Sequence, residues 1–331
     1  MGPIRNFLIT FVGAILSVCL LSCSSSSNGG GPPHSPFSGT ISYAAFGSDG
    51  YTHIYLLTSS GVKTQLTSGA HNDETAEWSF DGSRIVFQRA DANGIAVYIM
   101  NADGSNLTRL SPTPGQDLLP AFSPDGTTIV FTYVVAPNGC NGGTMPTTSV
   151  MTMSSTDGSG RTIVRDGTQA GTCFNVEPRF SPSGAKIAYM CGPSNGSIQA
   201  CTMNLDGSAN TFLTTTANTT AGDPHWSWSG AQIAISRRDT SGNVNVWTMH
   251  ADGSNLTQIT TFVENQEGGD VGWSLDDSQL SFEMDTGGQG QSVPTAPAGV
   301  AFVSSSGGTA SAQVVACSDV GCGPRFQPSI H

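Results

Sequence analysis

Trp78-Ser79-Phe80-Asp81-Gly82, followed by the apolar run Ile85-Val86-Phe87, decides how this chain folds, because the same phrase is written again and again. It returns as Phe122-Ser123-Pro124-Asp125-Gly126 before Ile129-Val130-Phe131, and as Phe180-Ser181-Pro182-Ser183-Gly184 before Ile187-Ala188-Tyr189. Trp226-Ser227-Trp228-Ser229-Gly230 then precedes Ile233-Ala234-Ile235, and Trp273-Ser274-Leu275-Asp276-Asp277 precedes Leu280-Ser281-Phe282. The leading aromatics are spaced by 44, 58, 46 and 47 residues. A phrase recurring at roughly 40–50 residues marks a propeller or another repeat array.

One complete unit shows the grammar. A first strand over 76–79 ends in the Phe80-Asp81-Gly82 turn, which delivers a second strand over 84–89. A third strand over 96–100 meets the turn Ala102-Asp103-Gly104-Ser105, and a fourth follows over 107–110. Asp-Gly between apolar runs is a strong hairpin signal, because glycine accepts a positive φ that a Cβ resists. The serine after each aromatic can bond the turn backbone, and Pro124 or Pro182 presets φ. These residues are read as serving turn geometry.

The ends of the array complete each other. Strands over 40–46, 53–57 and 63–66 stand at the start with no aromatic phrase ahead of them. Pro324-Arg325-Phe326-Gln327-Pro328 repeats the first-strand phrase, and nothing follows it. Joining the two closes a ring and leaves no blade interface facing water. The expected fold is all-β: a six-bladed β-propeller of four-stranded antiparallel blades over residues 39–331, closed by the last strand joining the first blade.

The formal charge of −12, with no basic stripe, argues against nucleic acid or anionic lipid as a partner. Residues 7–21 form an apolar run too short for a comfortable membrane span. It ends in Leu20-Leu21-Ser22-Cys23, which resembles the bacterial lipobox. Residues 1–23 are therefore expected to be a lipoprotein signal, with Cys23 lipidated, and 24–38 a flexible tether. The expected place is the cell envelope, at the periplasmic face of the outer membrane, held by the lipid anchor alone.

The repeated aromatic-Ser-Pro-Asp-Gly phrase, the short apolar strand, the Asp-Gly turn and the Leu-Thr ending resemble the TolB-type propeller repeat. The resemblance covers nearly all of 39–331. The TolB family adds an N-terminal α/β domain that engages TolA; here only a signal and tether are read ahead of the propeller, so TolA binding is not carried over. Its propeller also binds the peptidoglycan-associated lipoprotein, which implies protein binding by analogy of fold alone. Related propellers sit on prolyl-oligopeptidase-type hydrolases, but the chain has no Gly-x-Ser-x-Gly elbow. Oligogalacturonate lyases use clustered histidines at a metal; His34, His53, His71, His225, His250 and His331 show no ligand spacing and are read as structural.

Long insertions at 137–147, 166–176, 192–199, 261–269 and 285–298 fall on one face of such a propeller, where binding usually lives. Cysteines fall there too. Cys191 and Cys201 flank one hairpin and Cys317 and Cys322 bracket the closing link, which leaves Cys140 with Cys173; six cysteines allow fifteen pairings, and topology favours this one. Glu177, Asp223 and Asp270 each stand three residues before an aromatic, at the start of three adjacent innermost strands. They are expected to form an acidic arc at the channel mouth, suited to a hard cation such as calcium or to a basic peptide end. No cofactor is otherwise expected. The expected function is a monomeric, non-catalytic envelope scaffold that binds another envelope protein, a peptide or a glycan. The alternative is a carbohydrate-active enzyme of the oligogalacturonate-lyase type working at the channel mouth.

Overall fold

A computed structural model describes residues 37–136, 146–169, 173–192, 198–215, 220–262, 267–285, 299–311, 315–316 and 324–328. All regular structure among them is strand. β1 (Thr40–Phe46), β2 (Thr52–Thr58) and β3 (Lys63–Gln65) open the chain. β4 (Asn72–Trp78), β5 (Arg84–Asp91), β6 (Gly94–Asn101) and β7 (Thr108–Arg109) follow, then β8 (Gly115–Phe122), β9 (Thr128–Ala136), β10 (Thr147–Ser154) and β11 (Thr162–Arg165). The next set is β12 (Phe174–Phe180), β13 (Lys186–Gly192), β14 (Gln199–Asn204) and β15 (Thr211–Phe212). β16 (Thr220–Trp226), β17 (Gln232–Arg238), β18 (Val244–His250) and β19 (Thr257–Gln258) precede β20 (Glu267–Trp273), β21 (Gln279–Asp285), β22 (Gly299–Ser304) and β23 (Val315–Ala316). β24 (Arg325–Phe326) is the last.

Consecutive strands within a set pair antiparallel. Short parallel pairings, Gly94 with Gly115 and Val244 with Glu267, join neighbouring sets into two eight-stranded sheets, beside two four-stranded ones. β24 pairs with β1, setting Phe326 against Ile41 and Arg325 against Ser42.

Local chemistry explains the turns. Ser79 Oγ accepts from Arg84 N at 3.0 Å and donates to Asp81 Oδ1 at 2.6 Å, while Ser83 N caps the same carboxylate. The equivalent serine accepts from Thr128 N, Lys186 N, Gln232 N and Gln279 N in the later copies. Gly82 sits at φ 68°, and the last copy places Asp277 in that left-handed position at φ 57°.

The first strand of each unit is longer than its sequence pattern suggests. β4 begins at Asn72 rather than at 76, because a bulge interrupts the alternation on which pattern reading depends. The pairing register shifts at the same place in β4, β8, β12, β16 and β20. At each bulge one residue takes positive φ: Thr75, Leu119, Glu177, Asp223 and Asp270, all between 50° and 55°.

The core lies between sets rather than within one. Val86, Val97 and Leu110 pack on Phe122, Ile129 and Phe131 of the next set, and Ala234 and Val246 pack on Trp273 and Phe282. The same layer joins Val300 and Phe302 to Ile41, Tyr43 and Phe326. The first strands touch in succession, β4 to β8, β12, β16 and β20, with β24 between β20 and β4. They surround a narrow channel.

Candidate functional site

Three positions of each first strand face or cap this channel, counted from the repeated aromatic. One residue before it stand Glu77, Ala121, Arg179, His225, Gly272 and Arg325. Three before it stand the left-handed bulge residues. Two after it, at the turns, stand Phe80, Pro182 and Trp228.

The middle layer is a charged plug. Glu77 Oε1 accepts from Arg325 Nε at 2.5 Å and from Arg179 Nη1, and its other oxygen lies 3.9 Å from His225 Nε2. Ala121 and Gly272 lack bulk, which leaves room for the long guanidiniums; a Cβ on Gly272 would meet Pro324 O at 2.8 Å and Ser281 Oγ at 2.9 Å. Burial alone would push the Glu77 carboxyl up, but the Arg179 and Arg325 charges outweigh it and hold it far below the usual carboxylate range. Burial lowers His225 to about 4, against the opposing pull of Glu77, so this imidazole is neutral at pH 7.

Below the plug, at the turn end, lies a cavity of about 60 Å³. Trp78, Phe122, Phe180, Trp226, Trp273 and Phe326 wall it, and Glu77, Arg179, His225 and Arg325 form its floor. Phe80 and Trp228 meet across its mouth, edge to face, with ring centres 5.2 Å apart. Asp277 positions Trp228: its carboxylate accepts from Trp228 N at 2.7 Å and Ser229 N at 3.0 Å. A residue with a carboxylate thus occupies the left-handed position that glycine holds in the other copies.

Beyond the plug, at the loop end, Glu177, Asp223 and Asp270 do come together. They sit at mid-strand, on the bulge, and not at the strand start that sequence reading assigns, because each first strand extends further back. Asp223 Oδ2 accepts from Asp270 N at 3.3 Å and from Ser236 Oγ. Burial, then the charge of Asp223, pushes the Glu177 carboxyl well above its ordinary value. The same two causes raise Asp270 to about 6, although its side chain stays 32% exposed. Arg325 spans the two layers, with Nη2 3.8 Å from Asp270 Oδ1.

Among the described residues no three His, Cys, Asp or Glu side chains are grouped to hold a metal ion, so the arc does not supply a cation's ligand set. Asp73 on β4 and Asp117 on β8, further back along their first strands, are structural: each takes a two-pronged guanidinium, from Arg89 and Arg161 respectively. Cys191 and Cys201 form a disulfide across β13 and β14, with Cα atoms 6.0 Å apart. Cys173 is also disulfide-bonded. Cys140, Cys317, Cys322 and the lipidation candidate Cys23 lie outside the described residues, as do the centres of the long insertions.

Sequence reasoning missed the turn-end pocket. It treated the phrase as turn geometry and looked to the opposite face. The signal was available: the phrase carries Phe80 and Trp228 where other copies carry proline, and charged residues stand directly before Trp78, Phe180 and Phe326. His225, read as structural, is part of the pocket floor.

No family model matches the chain. It is 32% identical over 72 residues to an uncharacterized protein, Atu1656, of Agrobacterium fabrum, a match covering 22% of this chain and about a quarter (25%) of that relative's length. Among solved structures, TolB from Acinetobacter baumannii superposes with a TM-score of 0.66 at 15% identity, over 88% of this chain and 67% of that one. A putative TolB from Agrobacterium tumefaciens gives 0.59 at 18% identity, over 83% and 88%. An oligogalacturonate lyase in complex with manganese gives 0.55 at 15% identity, over 80% and 71%. The chain has the TolB-like β-propeller fold.

Proposed function

We propose that this chain is a monomeric, non-catalytic propeller scaffold of the bacterial envelope that binds a protein or peptide partner. In this reading the strands make six four-stranded blades, and β24 closes the ring. What supports closure is the β24–β1 pairing and the apolar layer between Val300, Phe302 and Tyr43. Cys23 carries the lipid anchor, on the lipobox-like Leu20-Leu21-Ser22-Cys23.

The observation that carries the binding reading is the contrast between a charged floor and an aromatic mouth. Arg179 and Arg325 share the Glu77 carboxylate, which suits a rigid floor better than a reacting group. The aromatic residues around the turn-end cavity remain for contact, in the residue types that dominate binding energy at interfaces. At the other end, Glu177, Asp223 and Asp270 form a secondary site suited to a basic peptide end. The lyase in complex with manganese shares the fold, and the described residues here offer no grouped metal ligands.

Affinity capture from envelope extracts tests the reading. The expected result is a defined partner held by the wild type and lost by a Phe80→Ala/Trp228→Ala double variant. Turnover of polyuronides by the purified protein would overturn it. Mass analysis of the N-terminal peptide tests the anchor: a diacylated Cys23 supports it, and an unmodified one removes it.

A further inference from the structure

Three tryptophans stand at the repeated aromatic position, and two of them use the indole N–H in the same way. Trp78 Nε1 donates to Arg325 O at 3.3 Å, and Trp273 Nε1 donates to His225 O at 2.9 Å. In both cases the acceptor is the carbonyl of the residue just before the preceding aromatic. Trp226 breaks the pattern. It is only 6% exposed, and its Nε1 is buried without an acceptor. A buried indole N–H normally finds a partner, and leaving one unmade costs about 1–3 kcal/mol.

A second orphan donor stands in the same cavity. Arg179 gives one guanidinium nitrogen to Glu77, while its Nε is buried with no partner. Arg325, by contrast, engages Glu77, two backbone carbonyls and Asp270. Glu77 is the only acid within ion-pair distance of Arg179 among the described residues, and Arg325 shares that acid. The floor therefore holds two guanidiniums around one carboxylate, a neutral His225, and two unmet donors from Trp226 and Arg179. Aromatic walls surround them.

We propose that the turn-end pocket binds a carboxylate carried on an apolar or aromatic group, with the ring among the aromatic walls and the carboxylate oxygens accepting from Trp226 Nε1 and Arg179 Nε. The proposal rests on reading this mouth as the binding face, and it adds the chemistry of what enters. Guanidinium and indole N–H groups are donors only, so the two unmet groups of this floor call for an acceptor such as a carboxylate and offer an ammonium end nothing. Two sources share the chemistry: a free small acid, and the C-terminal carboxylate of a peptide ending in an aromatic residue.

Tryptophan fluorescence of the full chain reads the pocket directly, since Trp78, Trp226, Trp228 and Trp273 line it and the chain has 5 tryptophans. N-acetyl-phenylalanine is expected to give a saturable change, and its amide to bind roughly tenfold more weakly. Trp226→Phe keeps an aromatic ring and removes the donor together with part of the indole, a loss of volume that acid and amide feel alike; the donor itself should cost about a further tenfold for the acid and little for the amide. Phe80→Ala, at the half-buried rim, should weaken both ligands and provides a variant whose folding is not at stake. A peptide ending in free phenylalanine that binds at least about tenfold better than the single amino acid identifies a chain terminus as the source; equal binding identifies a small acid. Equal affinity for acid and amide, an unchanged Trp226→Phe titration, or no saturable signal overturns the proposal. Partner capture is read independently, so its failure leaves these titrations interpretable.

Discussion

The two ends of the channel are built from the same strands, yet they differ in kind. At the turn end, short near-identical turns hold Phe80, Pro182 and Trp228 around an aromatic cavity. At the loop end, five bulges turn Thr75, Leu119, Glu177, Asp223 and Asp270 out of the regular strand alternation, and three of these are acids. Between them Glu77, Arg179 and Arg325 separate one chemistry from the other. Uniformity of sequence is therefore a poor guide to inertness: the regular end carries the shaped cavity.

The largest way to break this division is to remove its partition. Glu77→Ala leaves two buried guanidiniums without their shared acid and should cost about 3–5 kcal/mol, measured by urea unfolding. A loss below ~1 kcal/mol would mean that water already relieves the plug. At the loop end, Cys191→Ala/Cys201→Ala opens a loop of 10 residues and should cost about 2–3 kcal/mol, with the aromatic pocket unchanged by fluorescence.

Asp277 offers a smaller and more selective test. Asp277→Ala removes two bonds to the Trp228 turn while keeping a Cβ at φ 57°, and should lose about 1–2 kcal/mol. Asp277→Gly relieves the left-handed backbone and should be about 1 kcal/mol more stable than the alanine variant. Both should shift the tryptophan emission to the red as Trp228 loosens.

The smallest expected effect is at the acids themselves. Burial and the charge of Asp223 push the Glu177 carboxyl up and disfavour its charged form, so Glu177→Gln, which keeps the shape without the charge, should change stability at pH 7 by less than ~0.5 kcal/mol. Acidity separates the two layers by sign. Asp270 is raised from 3.8 to about 6, so its folded form keeps a proton that the unfolded chain has lost; stability from this group falls as pH rises from 3.8 to about 6 and is flat above. Glu77 is depressed, so its contribution is full above the ordinary carboxylate range and disappears as pH falls through its lowered folded value. Thermal melts carried from about pH 7 down to about pH 2, so that the Asp270 window is crossed and the Glu77 window entered, should show that Asp270→Asn flattens the first slope and leaves the acid-side loss in place.

Much of the architecture was legible because the phrase encodes it locally. Ser79, Asp81 and Gly82 bond within a few residues of one another, and such contacts survive reading in one dimension. The bulges were not legible. Left-handed conformation is ordinarily signalled by glycine or asparagine, and here Thr75, Leu119, Glu177, Asp223 and Asp270 adopt it, with the Leu119 and Glu177 amides donating to Gln88 and Thr132 of the preceding set. The plug was hidden for a different reason: Glu77 meets Arg179 and Arg325 across separations of 102 and 248 residues, which no spacing rule reaches. Glu177, Asp223 and Asp270 share one offset from the aromatic, and that offset falls on the bulge rather than at the strand start because the strand behind it is broken in register.

The pairing of β24 with β1 has a consequence for how the molecule is made. A chain emerging from its N-terminus presents the open edge of Thr40–Phe46, with Ile41 and Tyr43 destined for the core, long before residues 325 and 326 exist to cover it. Throughout synthesis that edge is a template for any passing strand, the situation that favours association between nascent copies. The β24–β1 contact is also among the most distant in sequence, so its formation should be the slow event in folding.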